Sequence, residues 1–168
     1  LLLLTKKPLR NRGFENHVSI FKGEYEHALD AKGRVAFPAK LRKYINPLAQ
    51  DRFTLLKGLE KCLYLYPEDK WLEVEDKLNK ISSFSAEGRI LKRQFLRYAE
   101  DVTLDNQNRI ALSPKMLELA GMDTKVVFIG AGDRIELWSP EVLDQETGDI
   151  TDADMQALFE KVMGGLQL

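Results

Sequence analysis

Asp30-Ala-Lys-Gly-Arg-Val-Ala-Phe-Pro38 and Asp105-Asn-Gln-Asn-Arg-Ile-Ala-Leu-Ser-Pro114 are two copies of one pattern. An aspartate at the first position of a turn can accept hydrogen bonds from backbone N–H groups two or three residues on. Gly33 supplies the positive φ that a tight hairpin demands, and Asn108, at the matching place, is the next most tolerant residue. Beyond each turn, strand alternation sends Val35 and Phe37 to one face and Arg34 and Ala36 to the other. Ile110 and Leu112 repeat this, with Arg109 on the polar face. Each copy therefore holds one arginine on a short, stiff hairpin.

Outward from the turns the same order of elements runs twice. In the first copy a strand at residues 24–29 enters the turn and a strand at 34–37 leaves it. Pro38 then opens a short helix at residues 39–44, since proline is favourable at the first helical position. Asn46-Pro47 stops it. Two apolar strands follow at 53–57 and 62–66, then a helix opened by Pro67 whose Trp71, Val74, Leu78 and Ile81 predict one buried stripe. After Ser82-Ser-Phe-Ser85 the second copy begins with a helix carrying Ile90, Leu91, Phe95 and Tyr98. A strand near 102–104, the turn at 105–108 and a strand at 109–112 follow. Pro114 opens a helix that Gly121 ends. Strands at 126–129 and 134–138 come next, then a helix opened by Pro140. A last amphipathic helix after Thr151-Asp152 has Met155, Leu158, Phe159 and Val162 on its apolar face. The offset between copies is 75 residues at the turn, and one residue is gained before Pro114. Such repetition predicts duplication about a pseudo-two-fold axis. The expected division is a disordered basic arm at 1–17, a first half at 18–81, a second half at 82–144, and an acidic segment with a helix at 145–168.

The formal net charge of −1 hides an uneven distribution. Residues 1–45 hold 10 Lys+Arg against 4 Asp+Glu, whereas residues 136–160 hold 8 acids and no Lys or Arg. A molecule of this kind can offer one basic face to a polyanion. The plainer alternative is that both blocks are simply solvated surface. No apolar run approaches the roughly 20 residues that cross a bilayer, so no membrane partner is expected. Residues 1–4 are apolar and the basic residues Lys6, Lys7, Arg10 and Arg12 follow, the reverse of a secretory signal. The chain reads as cytoplasmic. The single Cys62 allows no intrachain disulfide.

A rigidly placed guanidinium suits phosphate oxygens or the O6/N7 edge of guanine. Arg34 and Arg109 are the candidate DNA contacts. Lys32, Lys40, Arg42 and Lys43 flank the first arginine along the chain and are candidates for neighbouring phosphates. The alternative is that Arg34 and Arg109 pair with Asp30 and Asp105 merely to hold the turns. Asp30, Gly33, Asp105 and Asn108 are the turn-shaping residues on either reading.

The stretch Phe21-Lys-Gly-Glu-Tyr-Glu-His-Ala-Leu-Asp-Ala-Lys-Gly-Arg-Val-Ala-Phe-Pro-Ala-Lys-Leu-Arg42 resembles the opening of the MraZ family. Asp105 with Arg109, Ala120-Gly121 and Glu136-Leu-Trp138 resemble its second half. The resemblance covers about residues 18–144. It implies an α+β fold similar to AbrB-type swapped-hairpin domains, with the two β-hairpin halves in one chain and helices at the periphery. It also implies a ring-shaped homo-oligomer of eight or twelve subunits. The role it implies is binding of short direct repeats in double-stranded DNA upstream of its own division and cell-wall operon, on the nucleoid. The spaced Asp and Arg at 30, 34, 105 and 109 match the family motif position by position. Asn108 departs from it, standing where glycine is usual.

Two rival classes stand against this reading. An enzyme would need a catalytic constellation, yet the chain has only His17 and His27, and Cys62 falls in a predicted buried strand. There is no metal-ligand spacing, nucleophile elbow or phosphate loop, so neither cofactor nor metal is expected. The second rival is a ring-forming scaffold that touches no DNA, in which Trp71, Trp138 and the apolar helices serve subunit contacts alone.

Overall fold

The structure is a computed structural model that describes residues 20–164. The expected basic arm at 1–17 lies outside the described residues. In chain order the elements are β1 (Phe21–Ala28), β2 (Arg34–Ala36), α1 (Ala39–Arg42), β3 (Arg52–Lys57), β4 (Leu63–Pro67), α2 (Glu68–Asn79), α3 (Ala86–Leu96), β5 (Glu100–Thr103), β6 (Arg109–Ala111), α4 (Pro114–Ala120), β7 (Lys125–Gly132), β8 (Ile135–Trp138), α5 (Pro140–Thr147) and α6 (Asp152–Met163). A single 3-10 turn, Pro47–Ala49, links α1 to β3.

The strands form a six-stranded sheet in the order β1-β7-β8-β4-β3-β5 and a two-stranded ribbon of β2 with β6. Every pairing is antiparallel. The first strand of each half joins the other half's sheet: β1 pairs with β7, and β5 with β3. The ribbon likewise takes one strand from each half. Registers are symmetric. Arg34 faces Ala111 while Ala36 faces Arg109, which leaves Val35 opposite Ile110 at the centre. Leu63 faces Leu137 while Leu65 faces Ile135, which leaves Tyr64 opposite Glu136. A pseudo-two-fold axis thus passes between Val35 and Ile110 and between Tyr64 and Glu136. The fold is α+β, a duplicated swapped hairpin closed within one chain.

Alternation along the strands makes two cores. Phe53, Leu55, Leu65, Phe128, Ile135 and Leu137 point toward the ribbon and pack with Val35, Phe37, Ile110, Leu112, Leu41 and Met116. Phe37 lies 5.5 Å from Phe53 and 6.0 Å from Phe128 between ring centroids, which pins the ribbon to the sheet. The opposite face carries Leu56, Tyr64, Tyr66, Val127 and Trp138 against Trp71 of α2 and Leu143 of α5. His27 of β1 reaches the Ala36 carbonyl through Nδ1 at 2.7 Å. A carbonyl only accepts, so Nδ1 carries the proton there and the histidine serves as a tie between β1 and β2.

Several boundaries differ from the sequence-based expectation for physical reasons. β1 starts at Phe21 rather than 24, because β7 supplies partners along all eight of its residues. α1 stops at Arg42, since the N–H groups of Tyr44 and Ile45 turn back to carbonyls three residues earlier, ahead of Asn46-Pro47. Side chains cap several helices: Ser85 and Ser113 accept from Gly88 and Met116 N–H groups, and Thr151 with Asp154 forms a capping box. The predicted buried stripe on α2 is only partly covered. Trp71 is buried, but Val74, Leu78 and Ile81 are half-buried. On α6 the apolar face is uncovered, with Met155, Leu158, Phe159 and Val162 each more than half exposed. Apolar period sets the helix, but the described residues supply no surface that covers it.

Candidate nucleic-acid interface

The two turns are built alike. Asp30 Oδ1 accepts from the N–H groups of Lys32 and Arg34, both at 2.9 Å, and Oδ2 accepts from Arg34 Nε at 2.7 Å. In the second turn Asp105 Oδ1 accepts from the N–H groups of Gln107 at 2.8 Å and Arg109 at 2.9 Å, and Oδ2 from Arg109 Nε at 2.8 Å. The Arg34 backbone N–H is the main influence holding the Asp30 carboxyl below its ordinary pKa, and that of Arg109 does the same for Asp105. Gly33 at φ +76° and Asn108 at φ +56° both lie in the left-handed region, so asparagine meets the same demand as glycine.

These carboxylates fix each guanidinium by one edge. The Arg34 and Arg109 side chains remain 33% and 26% exposed. Their Nη1 and Nη2 groups take no protein partner among the described residues, so four N–H donors of each fork stay open. The turn-holding pairs and the outward-aimed donors are two properties of the same group.

The other basic candidates fall in places that the linear sequence does not suggest. Lys32 is exposed at the tip of the first turn. Lys40, Arg42 and Lys43 do not continue from that tip. Phe37 N–H donates to Asn108 O at 2.8 Å, and Leu112 N–H donates to Gly33 O at 2.7 Å. α1 therefore opens two residues beyond a bond to the second turn, and α4 two residues beyond a bond to the first. The swap exchanges the flanking helices. Lys40 is exposed, whereas Arg42 is paired with Asp51 at 3.1 Å and Lys43 lies 5.0 Å over the Tyr44 ring. Beside the first turn, Lys115 of α4 is paired with Glu118 at 3.2 Å. Because β2 crosses to β6, the stretch that carries Lys40, Arg42 and Lys43 leads away from a bond to the second turn, so a window along the chain is not by itself a neighbourhood. Among the described residues no cluster of His, Cys, Asp and Glu could hold a metal ion, and no helix is long and apolar enough to cross a membrane.

Comparison with known proteins places this geometry. The family model for the MraZ protein matches twice, over residues 20–94 and 95–160, in keeping with two interleaved copies. The chain is similar to a protein named transcriptional regulator MraZ from Syntrophomonas wolfei, 42% identical over 73% of this chain and 82% of the relative. Proteins of the same name from Desulforamulus reducens and Clostridium acetobutylicum are 35% and 37% identical, over 86% and 85% of this chain and 98% and 96% of their own lengths. With the paired Asp–Arg turns, the doubled family match and this breadth of similarity all in agreement, the chain belongs to the MraZ family.

Proposed function

We propose that this chain is a sequence-specific transcriptional regulator that binds double-stranded DNA through the two hairpin turns and carries no enzymatic activity. The carrying observation is the matched pair of guanidiniums, each anchored at Nε by an aspartate with its outer donors open. An anchored fork loses little freedom when it meets a phosphate or a guanine edge, which favours recognition. Arg34 and Arg109 are the readers on this proposal. Lys32 and Lys40 supply phosphate contacts, with weaker parts for Arg42 and Lys43, whose charges already have partners. Asp30, Gly33, Asp105 and Asn108 shape the turns.

The finer reading is a ring of eight or twelve subunits on direct repeats upstream of its own division and cell-wall operon, acting in the cytoplasm on the nucleoid. A ring presents many turns at once, so tandem repeats bind with avidity. The test is a gel shift with the upstream DNA of its own operon against the same DNA with scrambled repeats. Selective retardation of the intact repeats is expected. No retardation of either DNA by an assembled protein would favour the other reading, a ring-forming scaffold, which the uncovered apolar helix faces support.

A further inference from the structure

The acidic end of the chain and the basic helix α3 are complementary in charge, and each leaves an apolar face uncovered among the described residues. α6 is twelve residues long, and every residue from Asp152 to Val162 is exposed. A helix this short is marginal alone in water, so its apolar face needs a receiving surface. That face, Met155, Leu158, Phe159 and Val162, sits at the end of a stretch, residues 144–160, with six acids and no base. On α3, residues 89–97 hold four bases and no acid. Among the described residues, Arg89, Lys92, Arg93 and Arg97 form no ion pair with any carboxylate, and neither do Asp144, Glu146, Asp149 and Asp152. Beside α3 runs a groove of about 410 Å³ lined by Leu59, Leu91, Phe95, Tyr98 and Leu119, with Arg97 at its rim. Leu59 and Leu91 are 80% and 52% exposed.

We infer that α6 of one copy docks its apolar face in the α3 groove of a second copy, acids of the one facing bases of the other. The occupant is a second copy because both complementary surfaces are carried by every chain, so neither needs another partner. The two surfaces differ, so the contact is head-to-tail. Such contacts leave one free end at each step and close only as a ring. The inference rests on the ring reading above and names the surface that would make it.

The test uses two tagged full-length versions produced together, one carrying Leu158→Cys on α6 and the other Leu91→Cys in the groove. Cys62 is fully buried and does not compete. Mild oxidation is expected to join the two tags in one covalent dimer, and a chain carrying both substitutions should give an intermolecular ladder. Phe159→Asp should reduce the mass by light scattering without lowering the melting temperature of the body, since Phe159 is 55% exposed. Linkage within one chain, α6-to-α6 linkage only, or no linkage in an assembled protein would each overturn the interface. A native protein that is monomeric at micromolar concentration would overturn the ring reading itself, so the two failures are distinguishable.

Discussion

The backbone N–H of Phe37 donates to the carbonyl oxygen of Asn108 at 2.8 Å, and this bond decides what stands beside each turn. Its symmetry mate joins Leu112 to Gly33 at 2.7 Å. Through this pair the first turn gains α4, where Lys115 is already neutralised by Glu118. The second turn gains α1 with the open charge of Lys40. Lys32 at the first tip and Lys40 beside the second give each arginine one free basic neighbour.

Balanced surroundings predict balanced contributions to DNA binding. Arg34→Ala and Arg109→Ala should each weaken operator binding by ~1–3 kcal/mol per contact, the usual loss when an arginine reads a base. Neither should dominate. Lys40→Ala should flatten the salt dependence and leave sequence preference intact. Titrations of each variant at two salt concentrations, after confirming assembly, would show this. A loss confined to Arg34→Ala would mean that the flanking helices do not shape the local field.

Gly33 and Asn108 occupy matching positions but tolerate change differently. A Cβ on Gly33 would lie 2.6 Å from the Leu112 carbonyl oxygen, in addition to the strain of φ +76°. Gly33→Ala should cost ~1–3 kcal/mol, visible as a melting temperature lower by several degrees. Asn108→Gly should change stability by less than about 1 kcal/mol, because glycine accepts the same φ. Equal losses from the two substitutions would contradict the assignment of strain to Gly33.

Acid should loosen both turns together. The backbone N–H groups of Arg34 and Arg109 hold the Asp30 and Asp105 carboxyls below the usual aspartate range, so the folded state favours their ionised forms. Their contribution is complete above the unfolded pKa and disappears as pH falls through the folded value. Turn stability should therefore be level from pH 7 to about 5 and decline only below about 4. Carboxyl-carbon NMR titration should place both midpoints below the ordinary aspartate value. A midpoint above that value for either residue would remove the argument that the turn N–H groups hold the carboxylate.

Cys62 should be inert in the folded protein. Burial, helped by the nearby Glu136 and Glu60 carboxylates, pushes its thiol up to about 12. At pH 8 only about one thiol in ten thousand is then thiolate, the reactive form. Alkylation by iodoacetamide should be negligible in buffer and rapid in denaturant. Fast labelling of the native protein would show that the β3–β4 end of the sheet opens.

The local parts of this architecture are legible in the sequence because they rest on local rules. Asp30 and Asp105 mark turns, Pro114 starts a helix, and Gly121 ends it. The alternation of Val35 and Phe37 fixes the buried face. What joins β1 to β7 has no local signature, since strand pairing at that separation depends on the whole topology. The placement of Lys40 beside the second turn depends on the same crossing, and residue order alone points to the opposite side. The resemblance to swapped-hairpin domains contained that crossing; charge counted along the chain did not. The uncovered faces of α3 and α6 were also hidden, because periodicity reports which side of a helix is apolar and not what lies against it.

The exchange of strands between halves also sets a timetable for synthesis. β1 is among the first described elements to leave the ribosome, and its partner β7 follows about a hundred residues later. At about 5–20 residues per second, β1 waits roughly 5–20 s for it. The exposed Lys22, Glu24 and Glu26 help keep that waiting edge from pairing indiscriminately. Neighbouring ribosomes on one message carry the same β1 and β7, however, and a strand from the next nascent chain fits the same register. Closure within one chain is therefore a race at the end of translation, and the spacing of ribosomes on the message is one of its terms.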